Sequence, residues 1–338
     1  MNAPLRIGLV GAGMVSAFHL PAWRALGAGV TLCGIADPDR VRAQACADQH
    51  GIEHVYGSFE SLLRHEALDA VDLMTPPALH ASQCRAAAEA GVAVLCQKPL
   101  APTWAEARHL LQDVGGRVRW MVHENWRFRP HYRQVSRWVE DGCIGRTRAG
   151  RLHVCSSGLL PGANGRMPAI ERQPMLGTLP RLMIGEVLVH HLDVACWLSG
   201  VDTVQNATMV HAVQGIRGES AAMINLIDGH GTTFEVSGDM ADASALPTLR
   251  DSLWLAGDRG EIRLDAECLV MEAMSGRQEI RVDLNSGYQA SYDGAIAHFA
   301  NCLSTGLPFE TLPEWHLHVL ALAEQAYASA ARAKGVSL

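Results

Sequence analysis

Short apolar runs alternate with helical patterns along the first 124 residues. The runs predict buried strands at LRIGLV (5–10), VTLCGIAD (30–37), HVYGS (54–58), AVDLMT (70–75), VAVLCQK (92–98) and VRWMVHE (118–124). Between them the pattern predicts helices up to about Leu26 and at 41–50, 58–64, 79–90 and 103–114, with Ser58 as an N-cap. Strands that alternate with helices are typical of a doubly wound parallel sheet.

The pattern changes after residue 124. One predicted helix (Pro130–Asp141) precedes a series of extended segments at 147–156, 204–214, 220–228, 231–240, 251–256, 260–264, 268–273 and 279–284. Helices are predicted at 186–199, 291–305 and 313–334. We therefore predict an α/β Rossmann domain over residues 1–124. An α+β domain with a large, mostly antiparallel open sheet is predicted over residues 125–338.

A glycine-rich turn, GAGMVS, follows the first predicted strand. Gly11 and Gly13 permit a tight turn and let the backbone approach a pyrophosphate. The next helix begins beside Met14 and Val15, and its first N–H groups favour an anion. Ser16 stands where the motif has its third glycine, so the match is imperfect. The pattern predicts a dinucleotide site, and an ordinary glycine turn is the alternative.

Asp37 ends the second predicted strand about 20 residues after this motif. A carboxylate there accepts a hydrogen bond from a ribose 2′-hydroxyl and repels a 2′-phosphate. The sequence therefore favours NAD over NADP, a preference that Arg40, one helical turn further on, would soften.

Two further strand ends carry candidate site residues. Ligands of such sheets bind outside the carboxyl ends of the strands, where Thr75, Pro76 and Lys98 are predicted to lie. For His80, shortly after this strand end, two interpretations stay open: a contact to the cofactor, or an ordinary histidine at a helix start. An ammonium at Lys98 can bind a substrate hydroxyl and stabilise an alkoxide as hydride leaves. The alternative for Lys98 is a solvated lysine after a strand.

The stretch EVLVHHLDVACWLSG (186–200) combines acids with a histidine. Glu186, His190, Asp193 and Trp197 have the spacing of one α-helical face, and His191 points about 100° away. A histidine beside carboxylates gains proton affinity and a fixed ring orientation, as a general base requires. The alternative is a partly buried polar face on a helix that packs between domains.

Composition narrows the choice of function. The 338 residues are 48% hydrophobic and 19% charged with a net charge of −7, which argues against a nucleic-acid partner. No run of about 18 apolar residues predicts a membrane span, and the N-terminus has no signal-peptide pattern. The nine cysteines form no C-x-x-C pair and no metal-ligand spacing, so we expect free thiols in the cytoplasm and no metal.

Three segments together resemble the glucose–fructose oxidoreductase/inositol dehydrogenase family, called Gfo/Idh/MocA. They are GLVGAGMVSAFHLPAW, DAVDLMTPPALHASQCRAAAEAGVAVLCQKPLA and GEVLVHHLDVACWLSG. The resemblance covers nearly the whole chain and implies that Lys98, His190 and Glu186 form the catalytic set. It also implies a homodimer or homotetramer assembled through the C-terminal sheet.

Two residues depart from the family pattern. The glutamate of the family's EKP motif is Gln97 here, so a negative charge next to Lys98 is missing. Gln97 is itself a predicted cofactor contact. The helix acid, usually aspartate, is Glu186. Either change is compatible with a divergent substrate or with weakened catalysis.

The resemblance also implies substrate contacts outside this set. Asn125 and Arg127, in HENWRFRPHYR, match a region beside the nicotinamide and substrate. Trp126 packs against a sugar face or in a hinge core. RQP and LPRLMIGE resemble a branch with apiose-type sugar dehydrogenases, where Arg172 and Arg181 bind hydroxyls or a carboxylate, or remain solvated loop charges.

The predicted function is NAD-dependent oxidation of a hydroxyl on a sugar, sugar acid or polyol. In this hypothesis His190 is the base, Lys98 stabilises the oxyanion and Glu186 orients the base. Within enzymes the alternatives are oxidation of a glycoside ring position and lyase or isomerase chemistry with transient use of bound NAD. A non-catalytic NAD-binding regulator is the alternative from another class.

Overall fold

The computed structural model describes residues 3–284 and 286–333, which divide into two units. The first unit contains the chain up to Phe128 together with Tyr288–His318, and the second contains Arg129–Gly287 and the chain from Val319. The segment Tyr288–His318, assigned by the sequence to the second domain, thus belongs to the first unit.

The first unit contains a six-stranded parallel sheet in the order β3-β2-β1-β4-β5-β6. The strands are β1 (Leu5–Val10), β2 (Val30–Ala36), β3 (His54–Tyr56), β4 (Ala70–Leu73), β5 (Ala93–Gln97) and β6 (Trp120–His123). The helices between them are α1 (Ser16–Ala25), α2 (Arg40–His50), α3 (Phe59–His65), α4 (Pro77–Glu89) and α5 (Trp104–Val114), and a 3-10 turn covers Trp126–Phe128. This architecture confirms the predicted doubly wound sheet.

Local sequence signals explain the helix starts in this unit. The Ser58 side chain accepts a hydrogen bond of 3.2 Å from the Ser61 N–H, which confirms the predicted N-cap of α3. Thr103 caps α5 in the same way through the Glu106 N–H.

The core of the first unit explains why a late segment of the chain belongs to it. Ile296 and Phe299 are fully buried in one cluster with Ile7, Leu9 and Ile35 of the sheet. They lie on helix α9 (Ser286–Thr305). Burial of two such side chains contributes about 4 kcal/mol, enough to hold this helix against the sheet.

The second unit contains an eight-stranded sheet in the order β14-β13-β12-β11-β7-β10-β9-β8. Its strands are β7 (Thr147–Cys155), β8 (Thr203–Val210), β9 (Ala221–Ile227), β10 (Thr233–Asp239), β11 (Arg250–Gly257), β12 (Gly260–Asp265), β13 (Cys268–Ala273) and β14 (Gly276–Arg281). Only the β7–β10 pair is parallel among these described strands, which confirms a mostly antiparallel sheet.

Helices complete the second unit. They are α6 (Pro130–Glu140), the short α7 (Pro168–Arg172), a π-helix (Met183–Leu188), α8 (Val189–Ser199) and α10 (Pro313–Ala333), which starts in the first unit. Helix α8 packs on β7 and β10. None of the helices in the described part of the chain is both long and apolar enough to traverse a bilayer.

Candidate functional site

The glycine-rich turn between β1 and α1 uses its two glycines differently. Gly11 has φ +98°, and a Cβ there would lie 2.7 Å from the Met74 carbonyl oxygen. Its N–H donates to the Ala36 carbonyl at 2.8 Å, which ties the turn to β2. A Cβ on Gly13 would meet no protein atom within 4 Å. The fold therefore requires glycine at position 11, whereas Gly13 keeps open space above the turn for a ligand.

The turn leads into a helix start suited to a phosphate. Helix α1 has no acidic residue in its first turn, and Val15 precedes it without a side-chain cap. Met14 is half-exposed beside it. Ser16, which replaces the third glycine of the motif, is buried. Its hydroxyl donates to the Gly13 carbonyl at 2.6 Å, so a small polar residue fits there.

Asp37 follows β2 and is buried. One carboxylate oxygen accepts the Ala12 N–H and the other the Asp39 N–H, both at 2.8 Å. Each oxygen keeps a second lone pair that can receive a ribose hydroxyl. Arg40 is exposed at the start of α2. The open face of Gly13, the bare helix start and this carboxylate fit the pyrophosphate and adenosine ribose of NAD.

The carboxyl end of β4 is fixed by a histidine. The His80 ring is fully buried, with Nε2 2.8 Å from the Thr75 carbonyl oxygen and Nδ1 2.9 Å from the Pro99 carbonyl oxygen. Burial lowers the pKa of His80, against the effect of these carbonyls. Pro76 is exposed at the N-cap of α4. A neutral imidazole donates from only one ring nitrogen, so His80 hydrogen-bonds one of these two carbonyls, and its buried ring lies between the segments that follow β4 and β5.

Lys98 comes directly after β5 and is half-buried. The peptide bond between Lys98 and Pro99 is cis. The Pro99 carbonyl oxygen lies 2.9 Å from His80 Nδ1, and the Gln97 side chain accepts the Lys98 backbone N–H at 3.1 Å. Side chains therefore contact the backbone on both sides of Lys98.

Gln97 takes part in a buried hydrogen-bond chain. Its Nε2 lies 2.7 Å from His19 Nε2 and 3.2 Å from His123 Nδ1. His19 Nδ1 lies 2.7 Å from Asp72 Oδ2, which also accepts the Trp23 indole N–H. Because the carboxylate only accepts, His19 donates from Nδ1, and its Nε2 accepts from the Gln97 amide. The side chain of Gln97 thus faces two imidazoles and a backbone amide.

The segment after β6 is buried. Asn125 Nδ2 donates to Ser291 Oγ at 2.7 Å, and Trp126 packs edge-on against Tyr288. The Arg127 guanidinium is 2% exposed, donates to the Glu310 carbonyl and lies 5.1 Å from the centre of the Trp315 ring. The predicted cofactor and substrate roles of residues 125–127 remain predictions.

Glu124, which the sequence reasoning did not single out, is 1% exposed between this segment and β6. Its Oε1 accepts the Trp126 N–H at 3.0 Å. Burial raises the pKa of Glu124, while that N–H and the charges of His316, Lys98 and Arg127 oppose the rise. The sequence does place Glu124 at the end of a predicted strand, which could have identified it as a candidate. In the structure it follows His123, the residue that pairs with Gln97.

In the second unit, Glu186 lies in the π-helix and not in the predicted α-helix over 186–199. The regular α-helix therefore begins at Val189 instead of Glu186. That Glu186 and His190 share one face stays a prediction. His190, Asp193 and Trp197 lie in regular α8 at i, i+3 and i+7, and do share a face.

Two side chains distant in sequence hold the π-helix. The buried Glu219 carboxylate accepts the Ile184 N–H at 2.9 Å and the Tyr327 hydroxyl at 2.6 Å. The same hydroxyl accepts the Gly185 N–H at 3.1 Å. Burial and the neighbouring Glu219 raise the pKa of Tyr327, so the hydroxyl keeps its proton. These bonds satisfy backbone donors at the start of the π-helix, next to Glu186.

Helix α8 is anchored by the histidine next to the predicted base. His190 is 6% exposed and His191 fully buried. His191 Nε2 lies 3.0 Å from Asp251 Oδ1, and its Nδ1 lies 3.1 Å from the Val187 carbonyl oxygen. Arg129 and Tyr132 also bind the Asp251 carboxylate. Despite its burial, the charges of His191 and Arg129 lower the pKa of Asp251.

The two loop arginines have different surroundings. Arg181 forms an ion pair with Glu324, and its guanidinium lies 4.5 Å from the centre of the Tyr327 ring. Arg172 is exposed at the end of α7. Their predicted substrate contacts remain predictions. Residues 3–284 and 286–333 contain no group of three or more His, Cys, Asp or Glu able to hold a metal ion.

Comparisons with known proteins agree with this picture. Residues 5–117 match the family described as "Oxidoreductase family, NAD-binding Rossmann fold". D-apiose dehydrogenase of Paraburkholderia graminis is 32% identical, covering 98% of this chain and 88% of the relative. D-apiose dehydrogenase of Rhizobium rhizogenes is 27% identical over 99% of this chain and 97% of the relative.

A solved structure matches equally far along the chain. An oxidoreductase from Agrobacterium radiobacter, in complex with NAD+, L-tartaric acid and magnesium, is 27% identical with a TM-score of 0.90, covering 97% of both chains. The geometry of the glycine-rich turn and of the buried Asp37 fits NAD, and the match to relatives extends almost from end to end. The chain belongs to the Gfo/Idh/MocA family of NAD-binding oxidoreductases.

Proposed function

We propose that this protein oxidises a hydroxyl group of a sugar, sugar acid or polyol to a carbonyl group, with reduction of NAD. One observation carries the proposal: a lysine, Lys98, lies at the carboxyl end of β5 in the unit with the NAD motif. The end-to-end match to D-apiose dehydrogenases supports a sugar as the substrate class.

Each catalytic residue has one task in this reaction. NAD, when bound, accepts the hydride from the carbon that bears the hydroxyl. His190 takes the hydroxyl proton on a ring nitrogen, and Glu186 orients His190 or binds a neighbouring hydroxyl. Lys98 donates a hydrogen bond to the substrate oxygen and stabilises its developing negative charge.

Substitution of the two main residues tests the mechanism. We expect Lys98→Ala and His190→Ala each to lower kcat by two or more orders of magnitude, since one general acid–base group contributes about 10²–10⁴-fold. NADH affinity, measured by fluorescence titration, should remain close to that of the unmodified protein. Normal turnover in both variants would refute the assigned roles.

A substrate panel tests the activity itself. We would measure NADH absorbance at 340 nm with apiose and other pentoses, sugar acids and inositols. Net NADH formation with one class supports a dehydrogenase. Conversion of substrate without net NADH indicates transient use of bound NAD. No turnover across the panel, with tight NADH binding, supports a regulator instead.

We also propose a homodimer or homotetramer formed through the exposed face of the C-terminal sheet. Met223 on β9 and Trp254 on β11 are large apolar side chains exposed on that sheet. Light scattering of the purified protein measures the assembly, and Trp254→Glu should shift it toward the monomer. The nine cysteines are free thiols, which supports the proposed cytoplasmic location.

A further inference from the structure

A negative charge is expected at position 97, next to Lys98, but this chain has none there. In the family the residue before the catalytic lysine is a glutamate, whereas Gln97 here is neutral and its side chain faces His19 and His123. Glu124 is an acid at the end of β6, the strand that pairs with β5. This residue has no role in the proposed function so far.

Strand register brings Glu124 next to Lys98. The parallel strands β5 and β6 pair Gln97 with His123, so Lys98 and Glu124 are the next residues at the two strand ends. Adjacent strands lie about 4.8 Å apart. Gln97 and His123 contact each other through their side chains, and the two neighbouring chains leave the sheet at Lys98 and Glu124.

The electrostatics agree with this placement. Glu124 is 1% exposed, and a carboxylate so deeply buried is stable only beside positive charge or hydrogen-bond donors. It interacts with Lys98 from β5, with Arg127 from its own turn and with His316 from α10. Arg127 also binds the Glu310 carbonyl and lies over Trp315.

We propose that Glu124 is the positioning residue of Lys98: its buried carboxylate keeps the lysine ammonium charged and directed at the sheet edge. This inference rests on the proposed function, because it assigns a partner to the catalytic lysine. Glu124 also accepts the Trp126 N–H, so a purely structural role as a cap of the 3-10 turn is the competing explanation.

The variant Glu124→Gln separates the two roles. Glutamine keeps an oxygen that can accept the Trp126 N–H but removes the charge. Without the carboxylate, the Lys98 amine loses its proton at lower pH, and an opposite charge at this range is worth about one to three pH units. We therefore expect the alkaline limb of the pH–rate profile to move to lower pH by about one unit.

Chemical labelling reads the charge of Lys98 directly and needs no turnover. Only the neutral amine reacts with acetic anhydride, and peptide mass spectrometry gives the extent of reaction at Lys98 against pH. We expect about tenfold faster labelling at pH 8 in Glu124→Gln than in the unmodified protein. Glu106→Gln, which removes an exposed acid of the same unit, should label at the original rate.

The outcomes distinguish this inference from the proposed function. An unchanged labelling rate in Glu124→Gln overturns the inference, even if Lys98→Ala is inactive. An active Lys98→Ala overturns the proposed mechanism, while labelling still tests the pairing. If Glu124→Gln does not fold, Glu124→Asp withdraws the charge by one methylene, and an unchanged labelling rate there also overturns the inference.

Discussion

The hydroxyl of Tyr327 should stabilise the π-helix next to Glu186, and Tyr327→Phe removes that oxygen alone. In the native protein the hydroxyl donates to the buried Glu219 carboxylate at 2.6 Å and accepts the Gly185 N–H at 3.1 Å. Phenylalanine keeps the ring, which is 6% exposed, and its packing. The substitution therefore isolates two hydrogen bonds from the apolar burial.

The expected cost follows from these two bonds. A hydrogen bond to a charged group contributes about 1.5–3 kcal/mol, and the half-buried Gly185 N–H loses its acceptor for about 1 kcal/mol more. We expect a loss of about 3 kcal/mol. The matched control is Arg181→Met on the same ring, which breaks a partly exposed ion pair with Glu324 and a cation–π contact, for about 1 kcal/mol.

Hydrogen exchange is the suitable assay because the chain has two units and global unfolding need not be two-state. The Ile184 and Gly185 amides should exchange about 100-fold faster in Tyr327→Phe and less than tenfold faster in Arg181→Met. Equal acceleration in the two variants would refute the reasoning that the Tyr327–Glu219 bond holds this helix.

Three further predictions follow from single sites. Gly11→Ala should destabilise the first unit, since its Cβ would lie 2.7 Å from the Met74 carbonyl, whereas Gly13→Ala should keep the melting temperature and lower NADH affinity in a fluorescence titration. Burial lowers the pKa of His131 to about 3, so the unfolded chain binds a proton that the folded one does not between about pH 3 and 6.5. The neutral, buried His131 therefore lowers the free energy of unfolding by about 2 kcal/mol at pH 5 relative to pH 8. Urea unfolding of His131→Gln at pH 5 and 8 should lack this difference. In Gln97→Glu we expect one neighbouring imidazole to take up a proton, visible by NMR titration; unchanged imidazole signals would contradict the assigned hydrogen bonds.

The strands were predictable because each is a local apolar run bounded by turns. Helix α9 (Ser286–Thr305) was predictable as a helix over 291–305, but the unit to which it belongs was not. Its assignment depends on Phe299 and Ile296 meeting Leu9 in one core, across nearly the whole length of the chain. Periodicity shows which face of a helix is apolar, and it does not show which sheet covers that face.

The π-helix was not predictable for a related reason. The sequence predicts an ordinary helix from residue 186, whereas the π-helix spans Met183–Leu188. Its Ile184 and Gly185 N–H groups are bound by Glu219, 35 residues after Ile184, and by Tyr327. Such an irregular turn exists only when distant groups bind the backbone amides that it exposes. The resemblance identified Glu186, whereas its backbone setting depends on tertiary contacts.

The charge around Lys98 depends on strand pairing more than on the residues next to it in sequence. Position 97 precedes the lysine, yet its side chain points to His19 and His123, and a carboxylate there would first interact with imidazoles. Glu124 is 26 positions away but one step beyond the registered pair of β5 and β6. Since neighbouring strand ends lie about 5 Å apart, an acid on either strand can neutralise the same ammonium. A neutral residue at position 97 therefore does not imply an uncompensated lysine, and the loss of that glutamate alone is no argument for a protein without catalytic activity.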